Sequence, residues 1–397
     1  MVVPLYGRII AAALGVLLVG FSGASVIGTL MVPRPAGGRL TPWVDRLVNI
    51  SFRMLTRPIA DYKRRDRVLA SQAAALLVCQ LIAWLGIFYV GFSLLLWPLT
   101  TGGVTRAFDL AGPALWSDSS SAVHGAAGDA LQYCTAVTGI VTITLQIAYL
   151  PTLYAAFNRR ETEVALLNAR AGVPSWGPEL LARTHYALGS GMSTIDTLPD
   201  LYRQWERWAA DVAESHTTYL PLVRFRSPRP LSSWVTALLA VLDSAALYLA
   251  LSPKAAPSVP ARLCLRGGFQ CLTEVARGMG IKVPDTADPS QGISISYADF
   301  LEAVARMSKV DFPIERKPAD AWPDFVGWRV NYEQAAYAIA YAVDAVPALW
   351  SGPRRHPTPA IPPRRPPTGG PPKEVSAAGQ ASGAETGIPD PPRGGTH

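Results

Sequence analysis

The chain has 397 residues, of which 49% are apolar, and its formal charge is +7. The basic residues flank long apolar runs, and no basic helix with interleaved aromatic residues occurs, which excludes a nucleic-acid partner and favours membrane lipid. The sequence contains no phosphate-binding glycine loop, zinc motif or nucleophile elbow, and Cys79, Cys134, Cys264 and Cys271 lack metal-ligand spacing, so we expect neither enzymatic activity nor a cofactor.

The first apolar run is Ile9–Val32, and it predicts an N-terminal transmembrane helix within residues 1–32. A cleaved export signal is the alternative, because Arg8 precedes the run and Gly23-Ala24-Ser25 is a stretch of small residues. The charge distribution of the following segment favours a retained helix.

Residues 33–72 form a basic loop in this interpretation, with nine Lys and Arg residues against three Asp residues. An excess of Lys and Arg marks the cytoplasmic side of a membrane. We therefore expect this loop inside the cell, the N-terminus outside, and a multi-pass protein of the plasma membrane.

The central feature is a hairpin of two uncharged apolar segments, Ala73–Leu99 and Leu131–Phe157, within residues 73–157. Each segment exceeds the roughly 20 residues that a helix needs to cross a bilayer. The intervening residues 100–130 have the length of a re-entrant pore helix and an ion filter, and their acidic excess suits the outer side of the membrane. The hairpin has the outline of a pore.

The filter position is unusual. A potassium filter stacks backbone carbonyls in a Thr-x-Gly-(Tyr/Phe)-Gly type loop, and the corresponding residues are Ser121-Ala122-Val123-His124-Gly125. Val123 replaces a glycine and His124 replaces an aromatic residue, so the carbonyl ladder should differ from that of potassium channels. The stretch 100–104 is a turn in this interpretation, because no pore helix precedes it.

Two further residues of the hairpin have alternative interpretations. Pro151 removes one helix hydrogen bond near the cytoplasmic end of the last span and suits either a gate bend or a packing kink. His124 would let external acid change the charge of the filter, or it is an exposed loop histidine without a role.

Residues 158–350 follow the stop sequence Asn158-Arg159-Arg160 and show helical periodicity throughout, which predicts a cytoplasmic α-helical domain. Within it, Trp234–Leu251 approaches the hydrophobicity of a fourth membrane span. Asp243 would then lie near mid-membrane at a cost of roughly 2.5–3.5 kcal/mol, so we favour the central buried helix of a bundle. Glu214 and His216 are candidates for a polar cluster, or His216 is an ordinary hydrogen-bonded histidine at a helix end.

The tail, residues 351–397, is rich in Pro and Gly and almost free of large apolar residues. Such a segment does not bury enough apolar surface to offset the entropy of ordering. We expect it to be disordered.

Motifs outside the filter carry a resemblance. They are Ile147-Ala148-Tyr149-Leu150-Pro151-Thr152-Leu153-Tyr154, Phe157-Asn158-Arg159-Arg160-Glu161, Arg170-Ala171-Gly172-Val173-Pro174, Glu214-Ser215-His216, Phe225-Arg226-Ser227-Pro228, Ser233-Trp234 with Leu242-Asp243, and Gly327-Trp328-Arg329-Val330-Asn331-Tyr332. They resemble two-span, potassium-channel-like integral membrane proteins of unknown role from high-GC Gram-positive bacteria, and the resemblance covers roughly two thirds of the chain. The resemblance implies a Thr-Leu-Gly-Phe-Gly-like filter, from which this chain departs at Val123 and His124.

The expected fold class is therefore all-α, a helical membrane protein with a pore-type helix hairpin and a cytoplasmic bundle. The first functional hypothesis is a channel for a monovalent cation, a homo-oligomer of four copies around the pore. The second is a non-conducting membrane-anchored scaffold or sensor, whose helical domain binds a partner or ligand.

Overall fold

The computed structural model describes residues 5–32, 40–116, 125–186, 194–284, 287–288 and 292–365, without the side chains of Leu5, Tyr186 and Thr194. These residues form helices and connecting segments and contain no strand, apart from one isolated bridge between Ala348 and Ile361. The all-α prediction is confirmed.

Thirteen α-helices lie within the described ranges. They are α1 Leu5–Leu30, α2 Leu40–Thr56, α3 Tyr62–Ala70, α4 Gln72–Leu96, α5 Gly103–Leu115, α6 Ala126–Ala171, α7 Gly177–Tyr186, α8 Leu198–Thr218, α9 Trp234–Leu251, α10 Ser258–Gly278, α11 Tyr297–Ser308, α12 Pro318–Arg329 and α13 Glu333–Ala342. Short 3-10 turns occupy Trp97–Leu99, Thr194–Thr197 and Leu220–Arg224.

Four of these helical segments are long and apolar enough to cross a membrane: α1, the segment Tyr62–Leu99 that contains α4, α6 and α9. The first three keep most of their apolar surface exposed, whereas α9 is 100% buried by protein. Exposed apolar surface on this scale suits contact with lipid, and complete burial suits the core of a bundle. The position of α9 agrees with the favoured interpretation of a central buried helix.

Helices α1 and α4 cross closely because small residues meet at the crossing. A β-carbon on Gly15 would lie 2.7 Å from the Gly91 carbonyl oxygen, and one on Gly91 would lie 2.9 Å from Val19. Nearby, the buried Trp84 donates its Nε1–H to Ser25 Oγ at 3.0 Å. Close approach through glycine and a satisfied indole are what packing inside a membrane requires.

The bundle surrounds α9. Its remaining helices contribute a continuous apolar core, with Tyr202, Trp205 and Trp208 of α8 among its largest side chains. Asp243 of α9 lies fully inside this core, where Arg329 and Tyr332 donate to its Oδ1. The buried carboxylate is therefore paired and hydrogen-bonded, as the low dielectric demands.

The basic segment 33–72 is not a simple loop, because α2 and α3 lie within it. Both helices are bound to the bundle through ion pairs. Arg224 donates to both oxygens of Asp45 at 2.6 and 2.7 Å, and Arg65 lies 3.0 Å from Asp344. The basic segment and the bundle therefore lie on the same side of the hairpin.

Part of the predicted disordered tail is ordered against the bundle, which corrects the expected start of disorder at residue 351. Arg354 is buried and donates to the carbonyl oxygens of Ala345 and Val346 at 2.6 and 2.7 Å. Arg365 reaches Glu179 at 3.1 Å. Polar side chains that satisfy backbone groups can order such a segment without apolar burial. Residues 366–397 lie outside the described ranges.

Candidate functional site

The hairpin contains a third, shorter helix. Helix α5 starts at Gly103, just beyond the end of α4, and packs back along the same half of α4. Ala107, Leu110, Ala111 and Leu115 of α5 contact Trp84, Phe88, Phe92 and Leu96 of α4 in one buried apolar cluster. The chain therefore turns back along α4 after Gly103. The predicted re-entrant role of residues 100–130 stays a prediction.

The C-terminal end of α5 rests against the middle of the apolar part of α6. A β-carbon on Gly139 would overlap the carbonyl oxygen of Leu115, a separation that real β-carbons essentially never show. Gly139 lies about 20 Å along α6 from its first residue, Ala126. Because only glycine permits this approach, Gly139 sets the depth at which α5 ends.

Most of the filter-equivalent residues, Ser121, Ala122, Val123 and His124, lie outside the described residues. Gly125 is described and precedes α6 with φ of +103° and ψ of 152°. This is a backbone conformation that other residues rarely adopt. Ten residues, 116–125, thus connect the end of α5 to the start of α6.

Helix α6 turns a polar stripe toward the rest of the protomer. Its buried positions include Gln132, Thr135, Thr142 and Gln146, and the threonine hydroxyls donate to carbonyl oxygens one turn earlier. Both side-chain polar atoms of Gln80 on α4, Gln132 Nε2 and Gln146 Oε1 are buried and have no partner among the described residues. Polar groups inside a membrane are costly and mark functional positions.

The opposite face of α6 is apolar and largely exposed among the described residues. It exposes Tyr133, Val137, Ile140, Ile147 and Tyr154. The face suits lipid or neighbouring copies of the chain.

Pro151 lies within α6, which continues without interruption to Ala171. Its side chain is exposed, and its missing N–H leaves the carbonyl of Ile147 without the usual helical partner. The proposed role as a gate bend stays a prediction.

Helix α6 joins the bundle through Arg160, which is fully buried. Its guanidinium donates to the carbonyl oxygens of Leu222 and Phe225 at 2.9 and 2.7 Å and pairs with Glu161 at 2.7 Å. Sequence reasoning assigned Arg160 to a stop sequence together with Arg159. Only Arg159 behaves as such a surface charge, since it is exposed and pairs with Asp211.

His216 belongs to the same contact between α6 and the bundle, which we call the joint and which is centred on Arg160. Its Nε2 lies 2.9 Å from Arg160 Nη1, and its Nδ1 lies 3.0 Å from Ser215 Oγ. Burial and the charge of Arg160 lower the pKa of His216 well below its ordinary value. A neutral ring therefore accepts from Arg160 through Nε2 and carries its proton on Nδ1.

Glu214 lies two positions before His216 on α8, so its side chain is on the exposed surface and does not contact the buried ring of His216. The expected polar cluster of Glu214 and His216 is replaced by one in which Arg160 is the charged partner of His216. Arg160 was missed because nothing in the local sequence distinguishes it from the surface arginine beside it.

Two motifs from distant parts of the chain meet in the bundle. Asp243 and Arg329 are in direct contact, and Arg329 also reaches Glu333 at 2.6 Å and the Trp350 carbonyl oxygen at 2.7 Å. This buried network fixes α9, α12 and the segment after α13 relative to one another.

These sites consist of buried polar groups, an exposed apolar face on α6 and buried ion pairs. Within the described ranges, no group of His, Cys, Asp and Glu side chains could hold a metal ion. Comparisons with protein-family models, curated proteins and solved structures give no match. The class that the fold defines is accordingly a helical protein with segments long and apolar enough to span a membrane.

Proposed function

We propose that the chain forms a channel for monovalent cations, in which four copies surround an axis. In this arrangement α4 is the outer helix, α6 lines the pore, and residues 121–125 form an altered filter. The observation that carries the proposal is the re-entry of α5, whose end lies against Gly139 deep within the hairpin.

The direction of α5 gives the proposed pore a preference for positive ions. The C-terminal end of a helix carries a partial negative charge of roughly half an elementary charge. Because α5 ends deep inside the hairpin, this charge lies where an ion would otherwise have only hydrocarbon around it. Such an arrangement favours a cation over an anion.

The sequence of the filter supports a cation pore whose selectivity differs from that of potassium channels. Gly125 keeps the conformational freedom that an inward carbonyl needs, whereas Val123 and His124 depart from the potassium pattern. We therefore propose conduction of monovalent cations with reduced preference for potassium over sodium.

We also propose that the protein crosses the plasma membrane three times, through α1, α4 and α6, with its N-terminus outside and the bundle in the cytoplasm. The basic segment is paired with the bundle through Arg224 and Asp45 and through Arg226 and Asp66. Both therefore lie on one side, and the excess of basic residues supports the cytoplasm as that side.

The bundle would bias the pore through the joint at Arg160. Any movement of the segment that contains Leu222 and Phe225 is transmitted to α6, because the guanidinium bonds two carbonyls of that segment at once. Pro151 lies between this joint and the filter, where a bend would open or close the pore.

The test is cation flux through the purified chain in liposomes, with potassium compared with sodium. Gly125→Ala forces a side chain into a left-handed conformation and should abolish flux, whereas Gly86→Ala, at an open helical position, should retain it. Loss of flux in the first variant with an unchanged oligomeric state supports the channel. Absence of flux from the folded wild-type tetramer, across external pH and voltage, refutes it.

The second candidate is a membrane-anchored scaffold or sensor that does not conduct. The replacement of two filter residues by Val123 and His124 favours it. In this case the bundle binds a partner or ligand at the membrane surface, and oligomeric state discriminates, because an anchor functions as a single copy.

A further inference from the structure

A cavity of about 380 Å³ lies where the basic segment meets the bundle. It is lined by the second half of α2, Leu69 of α3, the start of α4 and the segment that follows α13, and it is partly open to solvent. Gln72, the first residue of α4, is part of its wall, so the cavity lies at the end of a membrane-spanning segment. Its size is in the range of pockets that hold small organic ligands.

The wall of this cavity is positively charged. Arg53, Arg57 and Arg355 line it, with Asp344 as the single acidic residue. The carboxylate of Asp344 lies 3.0 Å from Arg65, so its charge is already balanced. Neither Arg53 nor Arg57 makes an ion pair or side-chain hydrogen bond with a described residue. Within the described part of the chain, the cavity thus holds two guanidinium groups without a partner.

Arg355 adds a third positive charge that no carboxylate in the described part of the chain balances. Its Nε and Nη2 donate to the carbonyl oxygens of Tyr341 and Ala342, each at 2.8 Å. Burial and the neighbouring charge of Arg53 lower the pKa of Arg355 to about 10. The wall therefore repels further cations and attracts anions.

The same stretch of α2 carries an exposed apolar stripe. Trp43, Leu47, Ile50 and Met54 follow helical spacing, and Trp43 and Met54 are 69% and 70% exposed. The opposite face of α2 packs on α4 through Val48 and its neighbours. A helix with an exposed apolar stripe beside arginines lies in the plane of a membrane interface.

Ile50 and Met54 belong both to this stripe and to the wall of the cavity. The exposed apolar stripe of α2 is thus continuous with the guanidinium groups of Arg53 and Arg57, which have no partner among the described residues. A phosphate that carries acyl chains matches both halves of the site, whereas a soluble phosphate matches only the charged half.

We propose that this cavity binds the phosphate group of an anionic phospholipid, with Arg53 and Arg57 as its donors and Ile50 and Met54 beside its acyl chains. The proposal rests on insertion of α4 into a membrane but not on conduction. It makes the boundary between the hairpin and the bundle sensitive to lipid charge.

The test measures lipid retention by the full-length protein in non-ionic detergent, using native mass spectrometry with equal amounts of phosphatidylglycerol and phosphatidylcholine. Replacement of two arginines near an anionic surface should weaken binding about tenfold or more. Arg53→Gln with Arg57→Gln should therefore lose the preference for phosphatidylglycerol. Arg53→Lys with Arg57→Lys should keep most of it, because the charge remains.

Arg46→Gln is the matched control, since Arg46 is an exposed arginine on the same helix and lies outside the cavity. It should retain phosphatidylglycerol as the wild type does. Equal retention by the Arg53→Gln, Arg57→Gln variant and by Arg46→Gln overturns the proposal, provided that both variants unfold at the wild-type temperature.

The source of the phosphate is distinguished in a second arm. Millimolar inorganic phosphate should neither displace phosphatidylglycerol nor raise the unfolding temperature. If phosphate alone raises that temperature in the wild type but not in Arg53→Gln, Arg57→Gln, and no lipid is retained, the occupant is a soluble phosphate and the lipid assignment is wrong. A failure of ion flux would leave each of these outcomes unchanged.

Discussion

The contact between Gly139 and the end of α5 gives the most direct test of the re-entrant hairpin. Gly139→Ala places a β-carbon on the Leu115 carbonyl oxygen, a backbone atom that cannot rotate away. To reach an ordinary contact of about 3.5 Å, α5 and α6 must move apart.

The magnitude follows from a matched comparison with Gly86→Ala. Both glycines lie inside apolar helices, so the gain in helix propensity, about 1 kcal/mol, is common to both variants. A β-carbon on Gly86 meets nothing within 4 Å. The difference between the two variants is therefore the cost of overpacking, about 1–3 kcal/mol against Gly139→Ala.

The assay is the unfolding midpoint of the purified chain in detergent, followed by tryptophan fluorescence, because Trp84 lies in the cluster that α5 completes. Ion flux in liposomes is measured on the same preparations. Gly139→Ala should unfold earlier than Gly86→Ala and should alter flux. Equal midpoints and equal flux would show that α5 does not end against Gly139.

Three further predictions concern buried polar groups. Asp243→Ala leaves Arg329 without its counter-charge in the core and should lower the free energy of unfolding by about 3–5 kcal/mol. Asp324→Ala removes a partly exposed ion pair and should lower it by at most about 1 kcal/mol. Comparable losses for the two variants in thermal unfolding would contradict the pairing of Asp243 with Arg329. Burial opposes ionisation of Glu179, but its arginine partners lower its pKa to about 2 from 4.5. The ionised carboxylate therefore contributes about 3 kcal/mol to the free energy of unfolding above pH 4.5, and this contribution is lost as the pH falls toward 2. In Glu179→Gln, the free energy of unfolding should depend less on pH between 4.5 and 2. Gln80→Met removes two buried unpartnered polar atoms at nearly constant volume and should raise the unfolding midpoint; a lowered midpoint would show that Gln80 has partners.

The membrane part was predictable because its signals are local. An uninterrupted apolar run of sufficient length identifies a candidate spanning helix without knowledge of its neighbours. The cost of burying Asp243 in lipid indicated that α9 belongs to a bundle, where the structure places it.

The missed features depend on partners that are distant in the chain. From the sequence, Arg160 resembles a charge at the membrane boundary, but in the fold it donates to the carbonyl oxygens of Leu222 and Phe225. Likewise, residues 351–365 carry a single large apolar side chain, Ile361, and Arg354 orders the segment by satisfying several backbone carbonyls. Satisfaction of backbone groups by side chains leaves no periodic trace in a sequence.

The continuity of α6 constrains how this protein can change over evolutionary time. The helix has 46 residues, a length of about 69 Å, and it carries Gly139 in the hairpin and Arg160 in the joint. Inserting a single residue between these two positions would rotate one against the other by about 100° and separate both from their contacts. Related chains should therefore tolerate many substitutions between residues 139 and 160 but no insertion or deletion. The number of residues between these two positions should vary less than their identities.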